Sequence, residues 1–153
     1  MLFPEVAELT RELKTRGMHI TIETAGTVDQ PVTCDLMSIS PKLANSMPLE
    51  RDGGRWAAQH ERRRFQPQVL RRLMSRYEYQ LKFVIAEPSD LDEIHTICRA
   101  TGAARDRVLL MPEGVTPEVL RERAAWLVDV CKGEGFRYSP RLHIELWGNR
   151  RGV

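Results

Sequence analysis

Long apolar runs are missing from this sequence, and no stretch approaches the roughly 18 to 20 residues that a membrane span needs. The opening MLFPEVAELTRELK is amphipathic and carries acidic residues where a secretion signal would be uniformly apolar. The sequence therefore reads as a soluble, cytoplasmic protein. Cysteine is scarce as well: Cys34, Cys98 and Cys131 lie far apart and are odd in number, which argues against a disulfide framework and for reduced thiols. No CxxC, CxxxCxxC or HExxH spacing exists, so these residues alone do not predict a metal site. The nucleophile elbow GxSxG and the phosphate-cradling GxxxxGK[ST] are also missing. His19, His60, His95 and His143 are isolated from one another in sequence. Neither sign of charge dominates: 23 Lys and Arg face 21 Asp and Glu, for a net charge of +2. Nothing of that kind forces a polyanion-binding role.

What is present is enough for a core. The chain has 153 residues of which 42% are hydrophobic, which predicts one domain over residues 1–153. Val6, Leu9 and Leu13 recur at helical spacing and predict a helix over about residues 4 to 16. HITIET alternates as a strand ending near Thr24, and CDLMSIS reads as a second strand ending at Pro41. Residues 42 to 66 lack periodicity and are expected to form a long excursion. A helix from Pro67 with Val69, Leu70, Leu73 and Tyr77 on its buried stripe follows, then a mostly buried strand, QLKFVIA. Ser89 and Asp92 form an S-x-x-D start signal for a helix with Leu91, Ile94 and Cys98 inward, closed by Gly102. VLLMPEG predicts another strand. Thr116 and Pro117 predict a capped helix that Gly133 ends, and LHIELWG predicts a final strand in which Leu142, Ile144 and Leu146 alternate with His143, Glu145 and Trp147. About five strands alternating with four helices imply an α/β fold with a parallel sheet and helical crossovers. The chain opens on a helix where such folds usually open on a strand, so the topology suggests that something precedes Met1.

In parallel α/β proteins chemistry collects at the C-terminal ends of strands. The predicted exits read ETAGT, SISPK, MPEG and WGNRRGV, and all four can face one cavity. Thr24 offers a hydroxyl and Gly26 a close backbone approach, while Ser40 and Lys42 around Pro41 can hold a carboxylate or hydroxyl group. Each is equally compatible with an ordinary turn. Cys98 and Cys131 fall on apolar helix stripes, where a free cysteine packs as a small hydrophobe.

Between Lys42 and Arg76 nine Lys or Arg stand against three Asp or Glu, including Arg62, Arg63 and Arg64. The plain reading is a solvated face. Sharper ones are an anionic-substrate funnel or a stand-alone RNA-binding module using the Arg-rich segment 51–76. Only Trp56 and Phe65 interleave with the basic residues before Tyr77, which is thin for stacking on single strands.

The run LHIELWGNRRGV is similar to the ending of 7-carboxy-7-deazaguanine synthases, and it is joined in order by ETAGT, by D-x-x-x-S-x-S-P-K from Asp35 to Lys42, by QLKFV and by LLMPEG. The Trp147 to Val153 tail separates this resemblance from that to other activase-like enzymes of the same superfamily. The resemblance implies a radical S-adenosylmethionine carbon–nitrogen lyase of the queuosine pathway, with a modified partial (β/α) barrel. It implies conversion of 6-carboxy-5,6,7,8-tetrahydropterin to 7-carboxy-7-deazaguanine by radical ring contraction with loss of ammonia. The implied cofactors are S-adenosylmethionine, a [4Fe-4S] cluster and Mg2+, the last two with ligands in a segment that this sequence does not contain. Met1 then resembles an internal methionine, and the chain alone is expected to be inactive. A flavodoxin or ferredoxin as electron donor and a homodimer are the implied partners. By motif, Thr24 is expected to hydrogen-bond substrate, and Gly26, Ser40, Pro41 and Lys42 to line the S-adenosylmethionine site. Met111, Pro112, Glu113 and Gly114 are expected to border the adenine. The main-chain carboxylate of Val153 is expected to meet the pterin edge, since a carboxylate can accept two parallel N–H donors.

Overall fold

The computed structural model describes residues 3–47, 57–150 and 152. Within them the chain forms α1 (Val6–Thr15), β1 (Thr21–Thr24), β2 (Leu36–Ile39), α2 (Ala57–Arg64), α3 (Pro67–Arg76), β3 (Tyr79–Ile85), α4 (Asp90–Thr101), β4 (Val108–Pro112), α5 (Pro117–Glu134), β5 (Arg137–Tyr138) and α6 (Leu142–Trp147). The sheet order is β1-β2-β3-β4-β5, and each neighbouring pair is parallel. This is the α/β architecture expected from the alternation of patterns. Strand order never reverses, so the sheet is wound in one direction as in a (β/α) barrel and has no doubly wound crevice.

Register divides the strands into two faces. Met37, Ile39, Leu81, Phe83, Ile85, Val108 and Leu110 are buried within one core with Leu70 and Leu73 of α3, Ile94 and Ile97 of α4, and Leu127 and Cys131 of α5. The alternate residues face away from these helices. Glu23 stands beside Ser38, Ser38 beside Gln80, and Lys82 beside Leu109, and Gln80 Nε2 donates to Ser38 Oγ at 3.0 Å. A parallel strand covered on both sides reads as nearly continuous apolar sequence. Polar residues at alternate positions of three strands therefore mark a face built for something other than helix packing.

Several local expectations are corrected by the structure. The segment LHIELW is helix, not strand. Pro140 has no N–H with which to continue the sheet, and the Ile144 N–H instead bonds the Arg141 carbonyl at 2.9 Å. Only Ile144 of that segment is buried, while Leu142 and Leu146 are exposed. The fifth strand is Arg137–Tyr138, pairing Leu109 with Arg137 and Leu110 with Tyr138.

Helix α5 runs through Gly133 and stops at Gly135, whose φ of 73° supplies the left-handed cap. A mid-helix glycine costs only ~1 kcal/mol against alanine, and the two extra residues carry Phe136 into the core. The S-x-x-D signal marks the start of α4, but no side chain there caps the helix. Ser89 makes no cap and donates to Glu87 Oε1 at 2.7 Å, while the Asp90 carboxylate accepts from the Ala86 and Glu87 N–H groups at 2.8 and 3.2 Å.

The excursion at 42–66 contains a 3-10 turn at Ala44–Ser46 and helix α2. Its sequence AAQHERRR has good helix formers but no buried residue, so no amphipathic period announces it.

Candidate active site at the strand exits

Two adjoining clefts open at the C-terminal ends of the strands. One, of about 380 Å³, is bordered by Thr24, Ser38, Ser40, Lys82, Met111 and Arg141. The other, of about 470 Å³, is bordered by Pro41, Leu43, Asn45, Val84 and Glu113. Ser40, Lys42 and Val84 line both. Thus Thr24, Ser40, Pro41, Lys42, Met111 and Glu113 are brought together from three separate strand exits.

The loop after β2 is held firmly. The Ser40 N–H donates to the Thr24 carbonyl at 2.7 Å, continuing the β1–β2 ladder by one bond. Pro41 and Leu43 are buried. The Ala44 N–H donates to Glu93 Oε2 at 2.9 Å, and Asn45 Nδ2 donates to the Val84 carbonyl at 3.2 Å and to Asp90 Oδ2 at 2.8 Å. From α2, Arg64 donates to the Lys42 carbonyl at 3.2 Å and to Glu93 Oε1. The Arg64 guanidinium is held above its ordinary pKa, first by its hydrogen bond to Glu61, against the opposing cost of burial, with Glu93 adding to the rise. The backbone either side of Lys42 is thus pinned to β3, α2 and α4, while Lys42 itself is exposed.

The β4 exit is held from two sides. The Glu113 N–H donates to the Ile85 carbonyl at 2.7 Å. Arg123 of α5 donates to the Glu113 carbonyl and pairs with its carboxylate. Arg141 Nη1 donates to the Gly114 carbonyl at 2.9 Å. Gly114 is buried, and a Cβ there would lie 2.9 Å from Leu120 Cδ2. Pro112 is buried in the sheet opposite Ile85, so it fixes the exit rather than facing the clefts.

Gly26 has a different reason from the one its sequence suggested. Its φ is 72°, and a Cβ would fall 2.4 Å from Leu70 Cδ2 and 2.7 Å from Ile39 Cγ2. The close approach on the Cβ side is to core side chains. Its N–H donates to Thr24 Oγ1 at 3.1 Å, which orients the Thr24 hydroxyl and leaves its proton to be given elsewhere.

Val153 lies outside the described residues, and WGNRRGV is not the exit of a strand. The fifth exit is Ser139-Pro140-Arg141, placed by the Ser139 N–H donating to the Leu110 carbonyl at 2.9 Å. Sequence reasoning therefore missed Arg141, and it missed Lys82 by treating QLKFVIA as one buried strand. The alternation of Gln80 and Lys82 with Leu81 and Phe83 was the available signal.

The Arg-rich segment is spent in part on the molecule itself. Arg64 is engaged as above, Arg71 donates to the Ala100 carbonyl, and Arg72 and Arg76 pair with Asp29. Arg51 and Arg55 lie outside the described residues, and Arg62 and Arg63 are exposed.

The cysteines do not provide a cluster site. Cys131 is buried on α5 and Cys98 half-buried on α4, and burial pushes the Cys98 thiol up to about 11. Cys34, ahead of β2, is also raised, first by burial and then by the neighbouring Asp35 carboxylate. Among the described residues no three His, Cys, Asp or Glu side chains gather to hold a metal ion. The carboxylates at the strand exits already have partners, Glu23 with Lys82, Glu113 with Arg123, and Asp90 with backbone N–H groups and Asn45. Neither an iron–sulfur cluster nor Mg2+ fits the side chains described. No helix among them is long and apolar enough to cross a membrane.

A parallel sheet wound in chain order, apolar towards its helices and polar on the other face, with clefts at the strand exits, is that of a partial (β/α) barrel. No family model matches the sequence. Curated proteins do: the chain is 40% identical over 149 residues to 7-carboxy-7-deazaguanine synthase of Rhodopirellula baltica, covering 97% of this chain and 58% of that protein. It is 38% identical over 159 aligned positions to 7-carboxy-7-deazaguanine synthase of Halobacterium salinarum, covering 97% of this chain and 62% of that protein. The protein of the same name from Pyrobaculum aerophilum is 42% identical over 71 residues, which are 46% of this chain and 32% of that protein. The resemblance to these synthases holds along nearly the whole chain, which spans about three-fifths of the length of the first two relatives.

Proposed function

We propose that this chain carries the strand-exit part of a 7-carboxy-7-deazaguanine synthase, binding a carboxylated pterin and S-adenosylmethionine in the two adjoining clefts. The observation that carries the reading is the convergence of Thr24, Ser40, Lys42, Met111 and Glu113 at one end of the sheet, together with the curated synthases' similarity along the chain. S-adenosylmethionine, when bound in a radical lyase, supplies the hydrogen-abstracting group that starts ring contraction.

The side chains here have binding and positioning roles. Ser40 and Lys42 fit the polar amino-acid end of S-adenosylmethionine, as a hydroxyl and an ammonium held on a pinned loop. Met111 offers an apolar, polarisable surface to an adenine or a pterin ring. The Thr24 hydroxyl, with its oxygen already accepting from the Gly26 N–H, serves as a hydrogen-bond donor to substrate. Thr24, Ser40 and Met111 are half-buried, whereas Lys42 is exposed. Since the described side chains fit no cluster, no electron-transfer step is assigned to them.

Calorimetric titration of the chain with S-adenosylmethionine and with 6-carboxypterin, the oxidised and stable form of the substrate's ring system, tests the reading. Both ligands are expected to bind, and Lys42→Ala is expected to weaken S-adenosylmethionine about tenfold, the loss of one charged hydrogen bond. A folded protein that binds neither ligand, or that instead binds RNA with a steep salt dependence, overturns it.

A further inference from the structure

The cleft over the polar face of the sheet is electrostatically one-sided. Lys42, Lys82 and Arg141 border it against the single carboxylate of Glu23, and that carboxylate belongs to a side chain 74% exposed. Lys82 is 21% exposed and lies 3.3 Å from Glu23 Oε1. It rises from the middle of β3, where a lysine contributes nothing to helix packing.

Arg141 comes from the opposite wall, and three features fix it there. The Ser139 N–H extends the β4 ladder to the residue before Pro140. The Arg141 carbonyl accepts the Ile144 N–H in the first turn of α6. Its Nη1 is tied to the Gly114 carbonyl at 2.9 Å, so one edge of the guanidinium is committed to the protein. Its Nε–H is shut off from solvent and has no acceptor among the described residues. A buried donor without an acceptor is unfavourable, and a guanidinium presents its donors in a planar fork that matches a carboxylate.

We propose that Arg141 and Lys82 form an anion subsite that takes the carboxylate of the ligand lying over the polar face of the sheet. Arg141 fixes the carboxylate's plane, and Lys82 turns from Glu23 to neutralise its charge. The inference rests on the proposed function. Two bound molecules could supply that group, the 6-carboxyl of the pterin or the amino-acid carboxylate of S-adenosylmethionine, and matched ligand pairs separate them.

The affinities of 6-carboxypterin and unsubstituted pterin, and of S-adenosylmethionine and 5′-methylthioadenosine, are measured for the wild-type chain and for Arg141→Gln, Arg141→Lys and Lys82→Gln. Arg141→Gln is expected to weaken one carboxylated ligand at least tenfold and to leave its carboxylate-free partner within twofold. The pair that responds identifies the source. Arg141→Lys is expected to recover part of the loss, because charge returns without the planar fork. Equal weakening of both members of each pair, or unchanged affinity throughout with a folded Arg141→Gln protein, overturns the subsite while leaving the proposed function standing. Failure of the wild-type chain to bind any of the four overturns both.

Discussion

The two faces of the sheet are drawn from alternate residues of the same strands, yet they do opposite work. Towards the helices, Leu81, Phe83 and Ile85 of β3 are wholly buried. On the other face of that strand, Gln80, Lys82 and Val84 remain partly open, and Lys82 and Val84 border the clefts. The first face sets stability, and the second borders the clefts proposed to take ligand. A period of two lets one strand serve both, provided its register cannot slip, since a slip of one residue exchanges the faces.

The two faces are separated most strongly by a pair of substitutions in β3. Phe83→Ala is expected to lose about 3–5 kcal/mol, the transfer and cavity cost of a buried phenyl ring. Gln80→Ala, three residues away on the other face, is expected to cost about 1 kcal/mol through the lost bond to Ser38. Denaturant titration of both proteins checks the ratio, and equal losses would show that the two faces are not functionally divided.

A smaller effect separates the pinned loop from the surface. Asn45→Ala removes the bonds to the Val84 carbonyl and to Asp90, and is expected to cost about 1–2 kcal/mol. Hydrogen exchange should rise at residues 42–47 with β3 unchanged. Protection that falls equally everywhere would mean that the loop is not a separate unit.

The smallest effect is at the other end of the sheet. Asp35, just ahead of β2, accepts from Lys14 and from the Ile20 N–H at 2.8 Å, and these bonds hold its carboxyl below the usual carboxylate range, Lys14 first. A depressed folded pKa means that its stabilisation is present in full above its ordinary value of 3.8 and is lost as pH falls through the lower folded value. Asp35→Asn is therefore expected to lower the melting temperature slightly at neutral pH and to leave it unchanged once pH is below both values. A difference that persists undiminished in acid would contradict this assignment.

The sequence displayed the helix face of the fold more openly than the recognition face. Apolar spacing located α3 and the first four strands because their buried residues repeat with the period of the element that buries them, and it located α1 although Leu9 there is exposed and Thr10 is the buried residue. It failed at LHIELW, where Leu142, Ile144 and Leu146 alternate although only Ile144 is buried. Alternation over six residues fits a short helix as well as a strand, and Pro140 was the better guide. That one misreading displaced the last strand exit from Arg141 to the terminal tail. Helix α2 escaped detection because none of its residues is fully buried, and it is held by Arg64 to Glu93 and to the Lys42 carbonyl. The motif residues at the first, second and fourth exits were legible from small residues beside strands. Their supporting partners Asn45 and Glu93 were not, since each acts across a long separation in sequence, and Arg123 reaches back from α5 to Glu113 with no motif to announce it.

Winding the strands in chain order has a consequence for how such a protein can change length. Each strand pairs with the one before it, so every crossover closes its own loop and none encloses another. The crossover from β2 to β3 is the longest, joining Met37 to its partner Tyr79, yet doubling a loop costs only ~0.6 kcal/mol in closure entropy. Outside the pinned residues 42–47 and the core helix α3, that connection can therefore gain or lose residues while the register on either side stays fixed, which varies the approach to the clefts without rebuilding the sheet beneath them.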